Sequence, residues 1–175
     1  MTPEELLLKR RLVFVRGVLD DKAAGEAAAQ LMTMDADGDD AITMVLDATG
    51  TSLDAAFTLM DVVDLLGVPV HVTAMGRVEG PAVGVLAVAP RRLVAPHASI
   101  RLRDPEFNAA GGGREIERWL EHHQDALRRF HKRLAEATGT TIAAVEADCA
   151  AGRFLDAEQA VAYGLADGIA RPGAA

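Results

Sequence analysis

Short apolar runs rich in β-branched residues alternate with helical patterns along the first half of the chain, and this alternation limits the possible folds most strongly. The pairs are 12–15 with 21–33, 42–46 with 53–66, and 68–74 with 80–88. Consecutive parallel strands need a crossover between them, and a helix usually supplies it. The sequence therefore predicts an α/β fold with a largely parallel sheet covered by helices.

Size and charge exclude several classes of function. The 175 residues predict one domain, and the net charge of −8 argues against nucleic acid or an anionic membrane as a partner. No run is long enough to span a bilayer, and MTPEELLLKRR resembles neither a signal peptide nor a transit peptide. We therefore expect a cytoplasmic protein.

Local signals predict turns rather than metal sites. The acidic segment 35–40 (DADGDD) is interpreted as a solvated turn, because its glycine is misplaced for a calcium loop and no closing glutamate follows. Two short strands at 92–95 and 99–102 flank Pro96 and His97 and predict a hairpin or sheet corner. The single cysteine, Cys149, excludes a disulfide and a Cys-based zinc site and is expected to be a small buried hydrophobe.

A long amphipathic helix is predicted over 114–137. Its apolar positions recur at three- and four-residue steps, and such a stripe must be buried against something. A helix of about 35 Å reaches beyond a domain of this size unless a second subunit covers it. Two shorter helices are predicted after it, one over 141–150 and one that begins at Asp156 with a capping box and ends at Gly164.

The chain carries no motif for a cofactor. It has no P-loop, no dinucleotide fingerprint and no histidine pair at metal spacing, so neither a cofactor nor a metal is predicted. The two serines are Ser52 and Ser99. Ser52 follows a strand and is expected to cap the next helix, whereas Ser99 is expected to be a strand residue without a histidine as base.

Five segments occur in an order that is typical of one protein family. They are LLLKRRLVFVRGVLDD, DATGTSLDAAFTLMDVV, RLVAPHASIRLRDP, GREIERWLEHHQDALRRFHKRLAEATG and FLDAEQAVAYGLADGI. Nearly gapless from Leu6 to Ile169, they resemble the proteolytic subunits of the ATP-dependent Clp protease, the ClpP family. The resemblance implies a ClpP/crotonase-like fold of repeated ββα units with a protruding handle helix. It also implies one domain over 1–175, with a head at about 1–104 and 139–175 and a handle at about 105–138.

The resemblance also locates the family's catalytic residues. The serine of Gly-Met-Ala-Ala-Ser-Met-Gly falls on Val78, the histidine before Gln-Pro on Arg103, and the aspartate before the closing Phe on Gly152. Valine has no lone pair, arginine stays protonated and glycine has no side chain, so none can replace its counterpart. The chain is therefore predicted to be a noncatalytic member, a pseudoprotease without catalytic residues.

The oxyanion positions differ from the family's as well, since they hold Thr51 and Glu79. A carboxylate at Glu79 would oppose a developing oxyanion. Because Glu79 and Arg103 occupy positions that face each other in the family, one hypothesis predicts an ion pair between them, and the alternative is two solvated charges that line a chamber.

Partners follow from the same resemblance. It implies a heptameric ring or a double ring of fourteen, formed by copies of this chain, by an active ClpP paralogue, or by both. The short amino-terminal segment argues against substrate gating. The strand at 43–46 has no aromatic residues, which argues against docking of an AAA+ unfoldase.

Two alternatives remain open. One is a crotonase-like acyl-thioester enzyme that uses Glu79, Asp47 and His97. The other is a serine peptidase with a displaced active site at one of the two serines.

Overall fold

The computed structural model describes residues 2–173, which form eight strands and seven helices. The strands are β1 (Leu12–Leu19), β2 (Ile42–Gly50), β3 (Val70–Ala74), β4 (Arg77–Glu79), β5 (Arg91–Val94), β6 (Ser99–Arg101), β7 (Phe154–Leu155) and β8 (Gly168–Ile169). The helices are α1 (Pro3–Lys9), α2 (Asp21–Asp37), α3 (Leu53–Leu65), α4 (Ala82–Val88), α5 (Gly113–Thr138), α6 (Ile142–Ala151) and α7 (Ala157–Tyr163).

Strand β2 is the branch point of the sheet. Strand β1 pairs with it from Thr43 to Gly50 on one edge, while on the other edge β3 pairs with its first half and β4 with Thr49. One arm continues from β3 to β5 and β8, and the other continues from β4 to β6 and β7. Every pairing is parallel except that of β6 with β7. The predicted α/β class with a largely parallel sheet is therefore confirmed, and β3-β4-α4 and β5-β6-α5 are two of the predicted ββα units.

Two local predictions need correction. The strands around Pro96 and His97 form a sheet corner but not a hairpin, because β5 pairs with β3 in one arm and β6 pairs with β4 in the other. The segment 35–40 is not wholly a turn, since α2 continues to Asp37. Arg11 explains this longer helix, because its guanidinium donates hydrogen bonds to the carbonyls of Met34, Gly38 and Asp40 at the helix end.

Helix α4 lies at the centre of the core, and all seven of its residues are buried. A Cβ on Gly84 would lie 2.7 Å from both Met60 Sδ of α3 and Phe130 Cε2 of α5. A Cβ on Gly50, at the end of β2, would lie 2.4 Å from the backbone nitrogen of Ala82. Glycine at these two positions therefore lets β2, α3 and α5 pack directly on α4.

Helix α5 is half buried. It extends from Gly113 to Thr138, one residue longer at each end than predicted. Its second half contributes Phe130 and Leu134 to the core, whereas the apolar residues of its first half, Ile116, Trp119 and Leu120, are 38%, 51% and 42% exposed. The first half of the apolar stripe is thus uncovered, and the sequence predicts that a second subunit covers the stripe.

The remaining helix predictions are confirmed. Thr141 caps α6, Asp156 opens α7 with a capping box, and Gly164 ends α7 in the left-handed conformation. The amino-terminal helix α1 begins with a capping box at Thr2. None of the helices within residues 2–173 combines the length and the apolarity that crossing a membrane requires.

The close crossing of the helices at Gly84 predicts how substitutions there change the free energy of unfolding. We expect Gly84→Ala to lower the free energy of unfolding by about 1–3 kcal/mol, because the added methyl group must displace a side chain of α3 or α5. The matched control is Gly25→Ala in the exposed face of α2, where a Cβ meets nothing within 4 Å. This control should raise the free energy of unfolding by about 0.5–1 kcal/mol, through better helix propensity. Urea denaturation measures both, and equal effects of the two substitutions would contradict the close crossing.

Candidate functional site

The three residues that the sequence predicts at catalytic positions, Val78, Arg103 and Gly152, lie along the β4–β6–β7 arm. Val78 is in β4, is fully buried, and pairs with Ile100 of β6. Arg103 follows β6, and Gly152 ends α6 just before β7. The fold therefore brings together positions that are 74 residues apart in sequence between Val78 and Gly152.

A buried carboxylate and two arginines occupy this end of the arm. Glu79 is 8% exposed, and its carboxylate lies 3.9 Å from Arg103 Nε and 3.6 Å from Arg77 Nη1. The predicted ion pair between Glu79 and Arg103 is confirmed. Its length is at the outer limit for an ion pair, so the two groups neutralise each other without a close hydrogen bond. Thr51, which the sequence predicts at the other oxyanion position, is exposed just beyond Gly50.

Arg101 fills the space beside Gly152. Its Nε donates a hydrogen bond of 3.4 Å to the carbonyl of Gly152, and its guanidinium lies 4.7 Å above the ring of Phe154. A Cβ on Gly152 would lie 3.2 Å from Arg101 Nη2, and the backbone there has a φ of +65°. Arg101 therefore occupies the space that a side chain at position 152 would enter. The sequence did not predict this role for Arg101.

The crotonase-type candidates do not form one site. Asp47 accepts a hydrogen bond of 3.0 Å from the backbone nitrogen of Arg77, and Glu79 forms ion pairs with Arg77 and Arg103. His97 lies exposed in the turn between β5 and β6, and within residues 2–173 no hydrogen bond or ion pair joins it to either carboxylate. An acid and a base held against one reacting atom are thus not assembled.

The two serines have the structural positions that the sequence predicts. Ser52 Oγ accepts a hydrogen bond from the backbone nitrogen of Ala55 and so caps α3, and Ser99 lies half-buried in β6. Ser52 also lines a groove of about 280 Å³ together with Trp119, His122 and His123. In the part of the chain that the structure describes, no hydrogen bond links Ser52 to either histidine, so the serine has no positioned base.

A second group of polar side chains lies where α5 meets α6 and the segment after β6. Asp104, His131 and Cys149 each place one polar atom within 4.8 Å of the other two. His131 Nε2 is 2.7 Å from Asp104 Oδ1. Burial, with a smaller contribution from the charge of Asp104, raises the pKa of the Cys149 thiol to about 12. The burial of Cys149 is as predicted, but the sequence did not predict its partners.

One signal for His131 was present in the sequence. It stands four residues after Leu127 and three before Leu134, which places it on the apolar face of α5. A histidine on a buried face needs a polar partner. That partner, Asp104, comes from a distant segment, so sequence spacing alone could not identify it.

Comparison with known proteins identifies the family. A sequence model of the family described as Clp protease matches residues 2–173. A protein of Ligilactobacillus salivarius (strain UCC118), named ATP-dependent Clp protease proteolytic subunit, is 32% identical over 167 residues. That alignment covers 93% of this chain and 84% of the relative. The resemblance inferred from the five sequence segments is thereby confirmed.

The ion pair at Glu79 can be tested by a double-mutant cycle. We expect Arg103→Met to lower the free energy of unfolding by about 1–3 kcal/mol, because it leaves a buried carboxylate with one less partner. Arg77→Met is the matched control and should cost at most about 1 kcal/mol, since the Arg77 side chain is 70% exposed. In a Glu79→Gln background, the cost of Arg103→Met should shrink. An unchanged cost in that background would mean that Arg103 stabilises the chain by packing alone.

Proposed function

The chain belongs to the Clp protease family, and on that premise we propose that it is a noncatalytic ClpP-like subunit that forms or joins a heptameric or tetradecameric Clp-type ring. In such a ring it acts structurally or regulates proteolysis by the other subunits. The single observation that carries the proposal is the set of residues on the β4–β6–β7 arm at the aligned positions, namely Val78, Arg103 and Gly152.

Peptide hydrolysis by this family's mechanism needs a nucleophile, a neutral base and a group that orients the base. A fully buried valine, an arginine paired with Glu79, and a glycine covered by Arg101 stand at the aligned positions. Loss of one central member of a catalytic triad already lowers turnover on the order of a million-fold. Three simultaneous losses therefore support a subunit that contributes shape and no catalysis.

The distribution of apolar surface supports assembly. Ile116, Trp119 and Leu120 lie exposed in the first half of α5, while the second half is anchored in the core by Phe130 and Leu134. In the proposed division, α5 is the main part of a handle over about 105–138 that extends from a head formed by about 1–104 and 139–175. A handle with an apolar first half is suited to pack against the same helix of a second copy or of an active paralogue.

Docking of an unfoldase is not part of the proposal. Met44, Val45 and Leu46 are buried in the central strand, so this strand offers few exposed apolar side chains to a docking loop. The absence of nucleic-acid and membrane partners and the cytoplasmic location stay predictions from composition.

A displaced serine peptidase is the second candidate, and one observation favours it. Ser52 shares the groove at the start of α3 with His122 and His123. Against it, the hydroxyl already caps α3, and its oxygen accepts the hydrogen bond from Ala55. An assay of peptide cleavage separates the two candidates.

We expect no cleavage of fluorogenic peptides above the blank when the purified chain is incubated alone. The variants Ser52→Ala and Ser99→Ala should give the same background as the unchanged chain. Cleavage that disappears in Ser52→Ala would establish the displaced site and contradict a noncatalytic subunit. Cleavage that persists in both variants would point to a contaminating protease.

Native mass spectrometry tests the assembly. We expect seven- or fourteen-fold species for the chain alone, or incorporation into the ring of an active paralogue after mixing. Leu120→Glu should remove fourteen-fold species, because it places a charge in the apolar first half of α5. Glu121→Lys, an exposed neighbour on the same helix, is the matched control and should leave the assembly unchanged. A monomer under all conditions, with and without the paralogue, would contradict the proposal.

A further inference from the structure

Three ligand-type side chains meet at the junction between α5 and the rest of the chain. Asp104 comes from the segment after β6, His131 from the middle of α5, and Cys149 from α6. His131 and Cys149 are 4% and 3% exposed, so two of the three are held in the interior. Carboxylate, imidazole and thiolate are the donor types that proteins use for zinc.

We propose that Asp104, His131 and Cys149 form a binding site for one borderline divalent cation, with Zn²⁺ as the best match. The single cysteine in the sequence excluded only a site made chiefly of cysteines. A site with one ligand of each type needs no second cysteine. Neither the family relationship nor the proposed noncatalytic role implies such a metal site.

The spacing of the donors is close to what a tetrahedral ion requires. Zinc bonds of about 2.0–2.3 Å place neighbouring ligand atoms about 3.3–3.7 Å apart. The three donor atoms lie within 4.8 Å of one another, and His131 Nε2 is 2.7 Å from Asp104 Oδ1. Small rotations of the side chains, which draw the sulfur in and separate the nitrogen from the oxygen, would complete the arrangement.

The surroundings supply the other features of a metal site. The second ring nitrogen of His131, Nδ1, lies 3.9 Å from Glu146 Oε1, where a carboxylate can orient the ring and raise its basicity. The Asp104 side chain is 32% exposed, so an ion has a route from solvent and a water can take the fourth position. Three ligands plus water form an open site rather than a closed structural one.

The same cluster is unsuited to act as a cysteine nucleophile. A reactive cysteine has a lowered pKa, whereas burial raises that of the Cys149 thiol. Metal binding does not require the free thiol to ionise first, because the cation replaces the thiol proton and balances the negative charge of Asp104. Each bound Zn²⁺ forms a bond to sulfur and releases the thiol proton to solvent.

The experiment uses the full chain after treatment with a chelator. We expect equilibrium dialysis to give one tightly bound Zn²⁺ per chain, and thermal unfolding to shift upwards with Zn²⁺. Co²⁺ in its place should give tetrahedral d–d bands together with a near-ultraviolet thiolate-to-cobalt charge-transfer band. The charge-transfer band reports directly on the Cys149 sulfur and does not depend on catalysis or on ring formation.

Variants separate the cluster from adventitious binding. Cys149→Ser should abolish the charge-transfer band, Asp104→Asn should weaken binding, and Glu146→Gln should weaken it by roughly 10–100-fold. His97→Asn, at an exposed histidine outside the cluster, is the matched control and should bind as the unchanged chain does. Circular dichroism confirms that each variant is folded, and Asp104→Asn keeps an oxygen acceptor for His131.

Two results would overturn the proposal. One is the absence of a thiolate band at saturating Co²⁺, which would make Asp104–His131 a hydrogen bond that only joins α5 to the head. The other is Zn²⁺ binding that survives Cys149→Ser but is lost in His97→Asn, which would assign the ion to the surface.

Discussion

The burial of α4 on all sides is the constraint on which the rest of the structure depends. A helix without an exposed face can be placed only if every neighbour packs closely against it, and close packing tolerates little change in volume. Gly84 permits α3 and α5 to cross it, and Gly50 permits the end of β2 to approach its first turn. The branch point of the sheet and the base of the long helix are thus fixed by one small apolar element, which is independent of any catalytic side chain.

Charged side chains hold together the end of the sheet where the resemblance places the family's catalytic positions. Glu79 is held by two arginines, and Arg101 bridges the carbonyl of Gly152 and the ring of Phe154. Charges that face one another in a partly buried site impose order on the loops around them, although their net contribution to stability is modest. On the proposed function, the chain keeps the fold of the family without its chemistry.

Local signals in the sequence predicted the elements well, whereas a contact between distant residues was predicted only where the family resemblance suggested it, as for Glu79 and Arg103. The period of the apolar residues placed α5 to within one residue at each end, and capping residues located α6 and α7. Of the hairpin and the sheet corner that the sequence left open around Pro96 and His97, the structure has the sheet corner, because short strands pair with whichever partner the sheet provides and that partner is not a sequence neighbour. The contact of Arg101 with Gly152 and that of His131 with Asp104 both depend on the folded geometry. The spacing of these residues in the sequence does not identify them as partners.

The exposed first half of α5 has a consequence for the amount of this protein in a cell. In the proposed assembly, a newly synthesised copy presents Ile116, Trp119 and Leu120 to water until another chain covers them. Chaperones bind such surfaces, and unassembled chains that present them are exposed to degradation. Copies made in excess of available partners would be removed, so the abundance of the subunit would follow the supply of assembly positions rather than the rate of its own synthesis.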